Sequence, residues 1–181
     1  MRIDSNLNNY KIIAPQFRRC ENSESDILGM MIWLWLHSGS HRKMQLYLLE
    51  NLLLPVIKNR QFVLICDTST PVFYMSWANF NVEAEQRFLE NHPWDIPKDD
   101  WNCGDRMWII DWVAPFGHTM VVKAWLYRDL LANFCARTLY HRGNETGRKI
   151  LKFRGVAVSL EEEKMWWAAH PLINYDKMKK Q

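Results

Sequence analysis

No two cysteines form a C-x-x-C pair, since Cys20, Cys66, Cys103 and Cys135 stand far apart. Zinc ribbons and thioredoxin-like redox motifs are therefore disfavoured, and four free thiols in a reducing compartment are expected. The start, Met1-Arg2-Ile3-Asp4-Ser5-Asn6, is polar and no apolar run follows it. A secretory signal is thus not expected, and a cytoplasmic location is. The strongest apolar run covers only 27–36, well short of the ~20 residues that span a bilayer, so it reads as a buried helix and no membrane span is expected. The net charge is only +3, without a Lys/Arg stripe or an RNP-like motif. That mild bias suits an acidic macromolecular partner and gives no case for nucleic acid. Internal repeats and low-complexity tracts are also missing.

What is present describes one α+β domain. With 48% apolar and 24% charged residues over 181 positions, the chain can bury a core of its own and is not disordered. Residues 1–22 lack sustained periodicity and read as a flexible N-terminal arm, leaving 23–175 as the domain. Asp26 can cap a helix over 27–37 that is apolar on nearly every side. Ser38-Gly39-Ser40 breaks it, and a second helix is expected from His41, with Ser40 as cap, to Pro55. Strands over 61–67 and 72–80 form a hairpin, and Asn81 opens a helix to about 91. A loop over 92–103 leads to a strand over 104–115 and a helix over 119–134. Further strands at 137–142 and 150–158 flank a turn at 143–147, and Ser159 caps a closing helix.

The segment from Gly104 to Gly117 carries a carboxylate inside an apolar strand. Simple alternation puts Trp108, Ile110 and Trp112 on one face and Ile109, Asp111 and Val113 on the other. A carboxylate among β-branched neighbours is costly unless a charged or donating group meets it. His41 is the candidate partner. At the first position of a helix the positive end of the dipole favours a neutral imidazole, the form a general base needs. Asp111 would hold one ring nitrogen and leave the other to take a proton; the competing reading is an exposed histidine at a helix start. His37 and His41 have the spacing of a metal pair on an unbroken helix, but Gly39 breaks it and no third ligand follows, so no metal is expected. Ser38 is an accessory candidate, as nucleophile or as a plain turn residue. Tyr74, Ser76, Trp77 and Asn79 mix aromatic and polar side chains on one strand, which suits an interior strand or the wall of a substrate groove. His92, His118, His141 and His170 read as surface, as do Arg42-Lys43 and 177–180, with docking to an acidic partner the alternative for these basic runs.

Taken in order, several of these residues resemble a known family. They are Trp33-Leu34-Trp35, His41-Arg42, Leu54-Pro55, Pro71-Val72, Ser76-Trp77-Ala78-Asn79, Asp100-Trp101, Gly104-Asp105-Arg106 and, above all, Ile110-Asp111-Trp112 with Ala114-Pro115-Phe116-Gly117. The ordered set, over about 30–120, is similar to the RTX toxin-activating lysine acyltransferases of the hemolysin-activating type. The resemblance implies a GNAT-like fold, with a central mixed, mostly antiparallel sheet flanked by helices, in a homodimer. It implies transfer of a fatty acyl group from acyl carrier protein to internal lysines of an RTX protoxin, without a permanently bound cofactor. It places the family's catalytic histidine on His41, its aspartate on Asp111 and an accessory serine on Ser38. The chain has no Arg/Gln-x-x-Gly-x-Gly/Ala turn to cradle a pyrophosphate, which favours a protein-borne thioester over coenzyme A. A coenzyme A-dependent GNAT-type N-acetyltransferase and a non-catalytic, partner-binding chaperone are the alternatives.

Overall fold

A computed structural model describes residues 7, 9–92, 94–142 and 145–173, with the side chains of 141, 142 and 145–148 set aside. The expected positions 1–6, 143–144 and 177–180 lie outside the described residues. A single sheet runs in the order β1 (Tyr10–Ile13), β2 (Phe62–Asp67), β3 (Thr70–Phe80), β4 (Arg106–Val113), β5 (Cys135–Arg142) and β6 (Glu145–Arg154). Neighbours pair antiparallel except β4 and β5, which touch in parallel at Trp108↔Arg137 and Ile109↔Thr138. This is the mixed, mostly antiparallel α+β architecture expected.

Helices cover both faces of the sheet. α1 (Glu24–His37), α2 (Leu48–Leu52), α3 (Leu54–Asn59) and α4 (Val82–Glu90) close one core, in which Met31, Leu34, Leu53, Phe62, Tyr74 and Trp108 are fully buried. α5 (Thr119–Trp125) and the π-helical turn Leu126–Leu130 close the other over Phe73, Met75, Trp77 and Ile109. α6 (Leu160–Ala169) follows β6, with Ser159 as its cap. Among the described residues no helix is long and apolar enough to cross a membrane.

Several expectations are corrected. Tyr10–Ile13, assigned to an arm, is the edge strand against β2, and Ile13 is buried. α1 begins earlier than predicted because Ser23 is the cap. Its hydroxyl accepts from the Asp26 N–H, while the Asp26 carboxylate accepts from the Ser23 N–H, each at 3.1 Å, the reciprocal box that satisfies two end donors. The Ser23 hydroxyl, which donates to the Asp26 carboxylate at 2.7 Å, and after it the Ser23 N–H hold that carboxyl below its ordinary range. No helix starts at His41, where 41–43 and 46–47 form turns on either side of an irregular pair. The Ser40 hydroxyl that was to cap it lies instead 3.0 Å from the His41 ring. Pro55 does not end a helix but sits in the first turn of α3, where its missing N–H costs nothing. β5 and β6 both begin earlier than the periodicity suggested.

A buried charge cluster ties α4 to the sheet. The Glu85 carboxylate accepts from Arg106 at 2.6 Å, Arg137 at 2.9 Å and the Trp108 indole at 2.7 Å. Arg106 also donates to the Pro171 carbonyl, and Arg137 to that of His170, so two guanidiniums on one carboxylate find neutral acceptors as well. Burial lowers Arg137 from its ordinary value, with the Glu85 charge acting the other way. His170, expected at the surface, is buried, with its ring 3.1 Å from Asp105. Gly104-Asp105-Arg106 is therefore structural. A Cβ at Gly104 would lie 2.4 Å from the Phe80 carbonyl oxygen, too close for any other residue.

Candidate active site

Asp111 stands where β4 slips out of step with β3. The register passes from Trp77↔Ile109 to Ser76↔Asp111 and leaves Ile110 unpaired. Such a bulge turns two consecutive side chains to nearly the same side. Ile110 packs on the core under α1, while Trp112 crosses to the other core and meets Phe73 edge-on at 4.9 Å. The simple alternation is thus corrected. Asp111 shares its face with Val113 and not with Ile109, and it points toward α1.

Three donors meet the carboxylate there. Oδ1 lies 3.0 Å from His41 Nε2 and accepts from the Trp112 backbone N–H at 2.8 Å. Oδ2 accepts from the Trp35 indole N–H at 3.2 Å. The side chains of His41 and Asp111 are 13% and 17% exposed, screened from bulk water yet reachable. Trp35 also lies against the imidazole, with ring centres 5.0 Å apart and planes tilted by 34°.

An ionised carboxylate can only accept, so the proton of the neutral ring belongs on Nε2, and Nδ1 keeps its lone pair. Nδ1 lies 2.7 Å from the Ser38 hydroxyl and 3.0 Å from that of Ser40, and these two oxygens are 3.1 Å apart. Ser38 is the C-cap of α1, its N–H donating to the Trp35 carbonyl. The end of one helix thus supplies both the indole below the dyad and the hydroxyl on its far nitrogen. His37 turns away, its Nδ1 2.8 Å from the Trp33 carbonyl and its ring between Trp33 and Phe116. Among the described residues no group of three His, Cys, Asp or Glu is placed to hold a metal.

The expected groove wall divides between the two faces of the sheet. Tyr74 and Ser76 share the Asp111 face, Ser76 directly opposite it, but both are buried. Trp77 packs in the second core, 5.9 Å from Phe17. Asn79 lines a cavity of about 420 Å³ with Asp105, Phe134, Glu162 and Trp166, which contains neither member of the dyad. The segment is the interior strand of the first reading, and its alternation sets Tyr74 and Ser76 apart from Trp77 and Asn79. Sequence reasoning gave Trp35 and Ser40 no role at the site. An indole in an apolar run gives no sign that its N–H will serve a carboxylate a long way along the chain.

The hydroxyls of Tyr74 and Ser76 are buried without a hydrogen-bond partner. Burial foremost, then the Asp111 charge, pushes the Tyr74 phenol well above its usual value, while the nearby Ser76 hydroxyl works weakly the other way. An unfolded chain would lose that proton first, so the native state loses stability as pH rises past about 10. Tyr74→Phe should stabilise the protein by about 1 kcal/mol at neutral pH and flatten the alkaline fall. Thermal unfolding between pH 7 and 11 measures both.

A histidine braced by a carboxylate, with its second nitrogen held only by two serine hydroxyls, one of them on an exposed residue, is the equipment of a group-transfer enzyme that works by general-base catalysis. Known proteins narrow this class. The RTX toxin acyltransferase family matches residues 20–154, and this chain belongs to that family. It is 37% identical over 133 residues to a leukotoxin-activating lysine acyltransferase of Mannheimia haemolytica, covering 72% of this chain and 77% of that one. Its counterpart in Aggregatibacter actinomycetemcomitans is 36% identical, over 75% of this chain and 79% of its own. A protein-lysine myristoyltransferase of Kingella kingae is 34% identical, over 71% of this chain and 75% of its own.

Proposed function

We propose that this chain is a protein-lysine fatty acyltransferase that moves an acyl group from the thioester of acyl carrier protein to internal lysines of an RTX protoxin, and so activates it. It works in the cytoplasm as a homodimer, on a GNAT-like fold, without a permanently bound cofactor. Its family and its relatives' names support lysine acylation, and the parallel pairing of β4 with β5, in a sheet whose other neighbouring strands pair antiparallel, supports the GNAT-like reading. The observation that carries the chemistry is the 3.0 Å contact between His41 and Asp111.

A lysine amine, with an ordinary pKa of about 10.4, arrives as an ammonium and releases its extra proton to solvent. As its nitrogen attacks the thioester carbonyl carbon and the C–N bond forms, His41 Nδ1 takes the second proton. Asp111, which already accepts from Nε2, stabilises the imidazolium. Collapse of the tetrahedral intermediate breaks the C–S bond, and the imidazolium returns its proton to the departing sulfur. Ser38 and Ser40 hold Nδ1 until the amine displaces them.

The 2.7 Å contact of the Ser38 hydroxyl with Nδ1 favours a second reading, in which Ser38 is acylated first. We expect Ser38→Ala to slow transfer by about tenfold or less, the cost of one orienting hydrogen bond. A loss as deep as that of a His41 variant, with an acyl adduct on Ser38, would establish the acyl-enzyme instead. Intact-mass measurement of a protoxin incubated with acyl carrier protein thioesters tests the whole reading. The mass of one acyl group per modified lysine is expected, and no gain from any acyl thioester refutes it.

A further inference from the structure

We propose that the loop 41–47, which carries the base, also docks the protein that brings the acyl group, with Arg42 and Lys43 meeting an acidic surface of that carrier and Leu46 and Tyr47 covering its apolar border. This inference rests on the donor named above and identifies where that donor sits. The loop joins α1 to α2 with no helix of its own. Leu46 and Tyr47 are 80% and 66% exposed, the highest values among the exposed large hydrophobic residues described, and they are adjacent. A lone exposed leucine is ordinary, but two neighbouring apolar side chains beside two cations form a patch suited to a partner.

The charge on the loop is uncompensated. Arg42 and Lys43 are exposed, and neither belongs to any ion pair among the described residues. Between Asp26 and Glu50 the chain has no acidic residue, and Glu50 is held by Lys98 at 2.5 Å. Among the described residues the carboxylate paired with this loop is Asp111, which is engaged with His41.

That field selects one occupant of three. The acceptor arrives as a lysine ammonium, and two cations next to His41 contribute nothing to holding it. A second copy of this chain would bring the same two cations to a shared axis. A carrier with an acidic face is attracted, and so is the phosphodiester of the arm from which its thioester hangs. The arm is what lets a docked carrier deliver its carbonyl to a histidine that is only 13% exposed. Such rim charges act mainly on encounter and its salt dependence.

The experiment compares two donors that bear the same acyl chain, acyl carrier protein and the short neutral thiol N-acetylcysteamine. Arg42→Glu with Lys43→Glu, and the milder Arg42→Gln with Lys43→Gln, should raise KM for the carrier about tenfold or more at low salt, less as salt rises. The kcat at saturating carrier and the rate with the short thioester should stay within about twofold. Direct binding of acyl-free carrier should weaken in parallel, and Leu46→Ser with Tyr47→Ser should weaken it without the salt dependence. An unchanged KM for the carrier overturns the proposal. So does an equal loss with both donors, a rise in the protoxin's KM alone, or a change in oligomeric state. If the unaltered protein transfers from neither donor, the acyltransferase reading falls. Carrier binding, lost or kept on charge reversal, then decides the docking site by itself.

Discussion

His41→Ala should lower acyl transfer to a protoxin lysine by about 10²- to 10⁴-fold, the usual contribution of a positioned general base, without unfolding the protein. The imidazole is not part of either core, and after its removal Asp111 still accepts from the Trp35 indole and the Trp112 N–H. The thermal midpoint should therefore stay close to that of the unaltered chain, and intact-mass analysis of the protoxin reads the loss. Transfer at the full rate would end the proposed mechanism. Asp111→Asn should lose nearly as much, and the geometry says how. If the amide oxygen stays on His41 and Trp112, its NH₂ faces the Trp35 N–H, and the imidazolium has lost its counter-charge. If the amide flips, its NH₂ faces the Trp112 N–H and pushes the proton to the wrong ring nitrogen. Adding Trp35→Phe removes the first conflict but not the missing charge, so the double variant should regain stability without regaining transfer.

Glu85→Ala should be the most damaging substitution away from the site. It strands the guanidiniums of Arg106 and Arg137, whose side chains are 6% and 3% exposed, and leaves the Trp108 indole without its acceptor. Breaking a buried charge pair costs about 3–5 kcal/mol, a large part of the roughly 5–15 kcal/mol that holds a domain folded. Urea denaturation should place Glu85→Ala at or near the limit of folding. Glu85→Gln, which keeps an acceptor for Trp108 but not the charge, should fall between. A loss below about 1 kcal/mol for the alanine variant would mean that water reaches the cluster in solution. Activity lost in Glu85→Ala should track unfolding, whereas in His41→Ala it should not.

Where local signals decide the structure, the sequence was readable. Asn81 caps α4 by accepting from the Ala84 N–H at 2.8 Å, and the hairpin of β2 and β3 turns where Thr68 and Ser69 interrupt two apolar runs. Ser159 caps α6 as its spacing with Glu162 announces. What stayed hidden depended on distant partners. Glu85 and Arg106 look like surface residues in a charged stretch until the fold brings Arg137 to them. Ser40 carries a cap's signal, but its hydroxyl is engaged by a side chain and the helix does not start. His41 and Asp111 were named from residue type and from resemblance to a family. Their contact came only with the fold, and the reason offered for a neutral imidazole, a helix start, has been replaced by a carboxylate and two hydroxyls. Trp77 and Asn79 part from Tyr74 and Ser76 for a simpler reason, since a strand shows only every second residue to one side.

The unpaired Ile110 makes the chemistry a matter of parity. A pleated ladder offers just two orientations, and an odd insertion is what exchanges one for the other. Paired without the bulge, Ile110 would stand opposite Ser76 and Asp111 opposite Met75, on the α5 side and away from His41, though no functional side chain had changed. The register of this strand is therefore as much an ingredient of the enzyme as the identity of its acid.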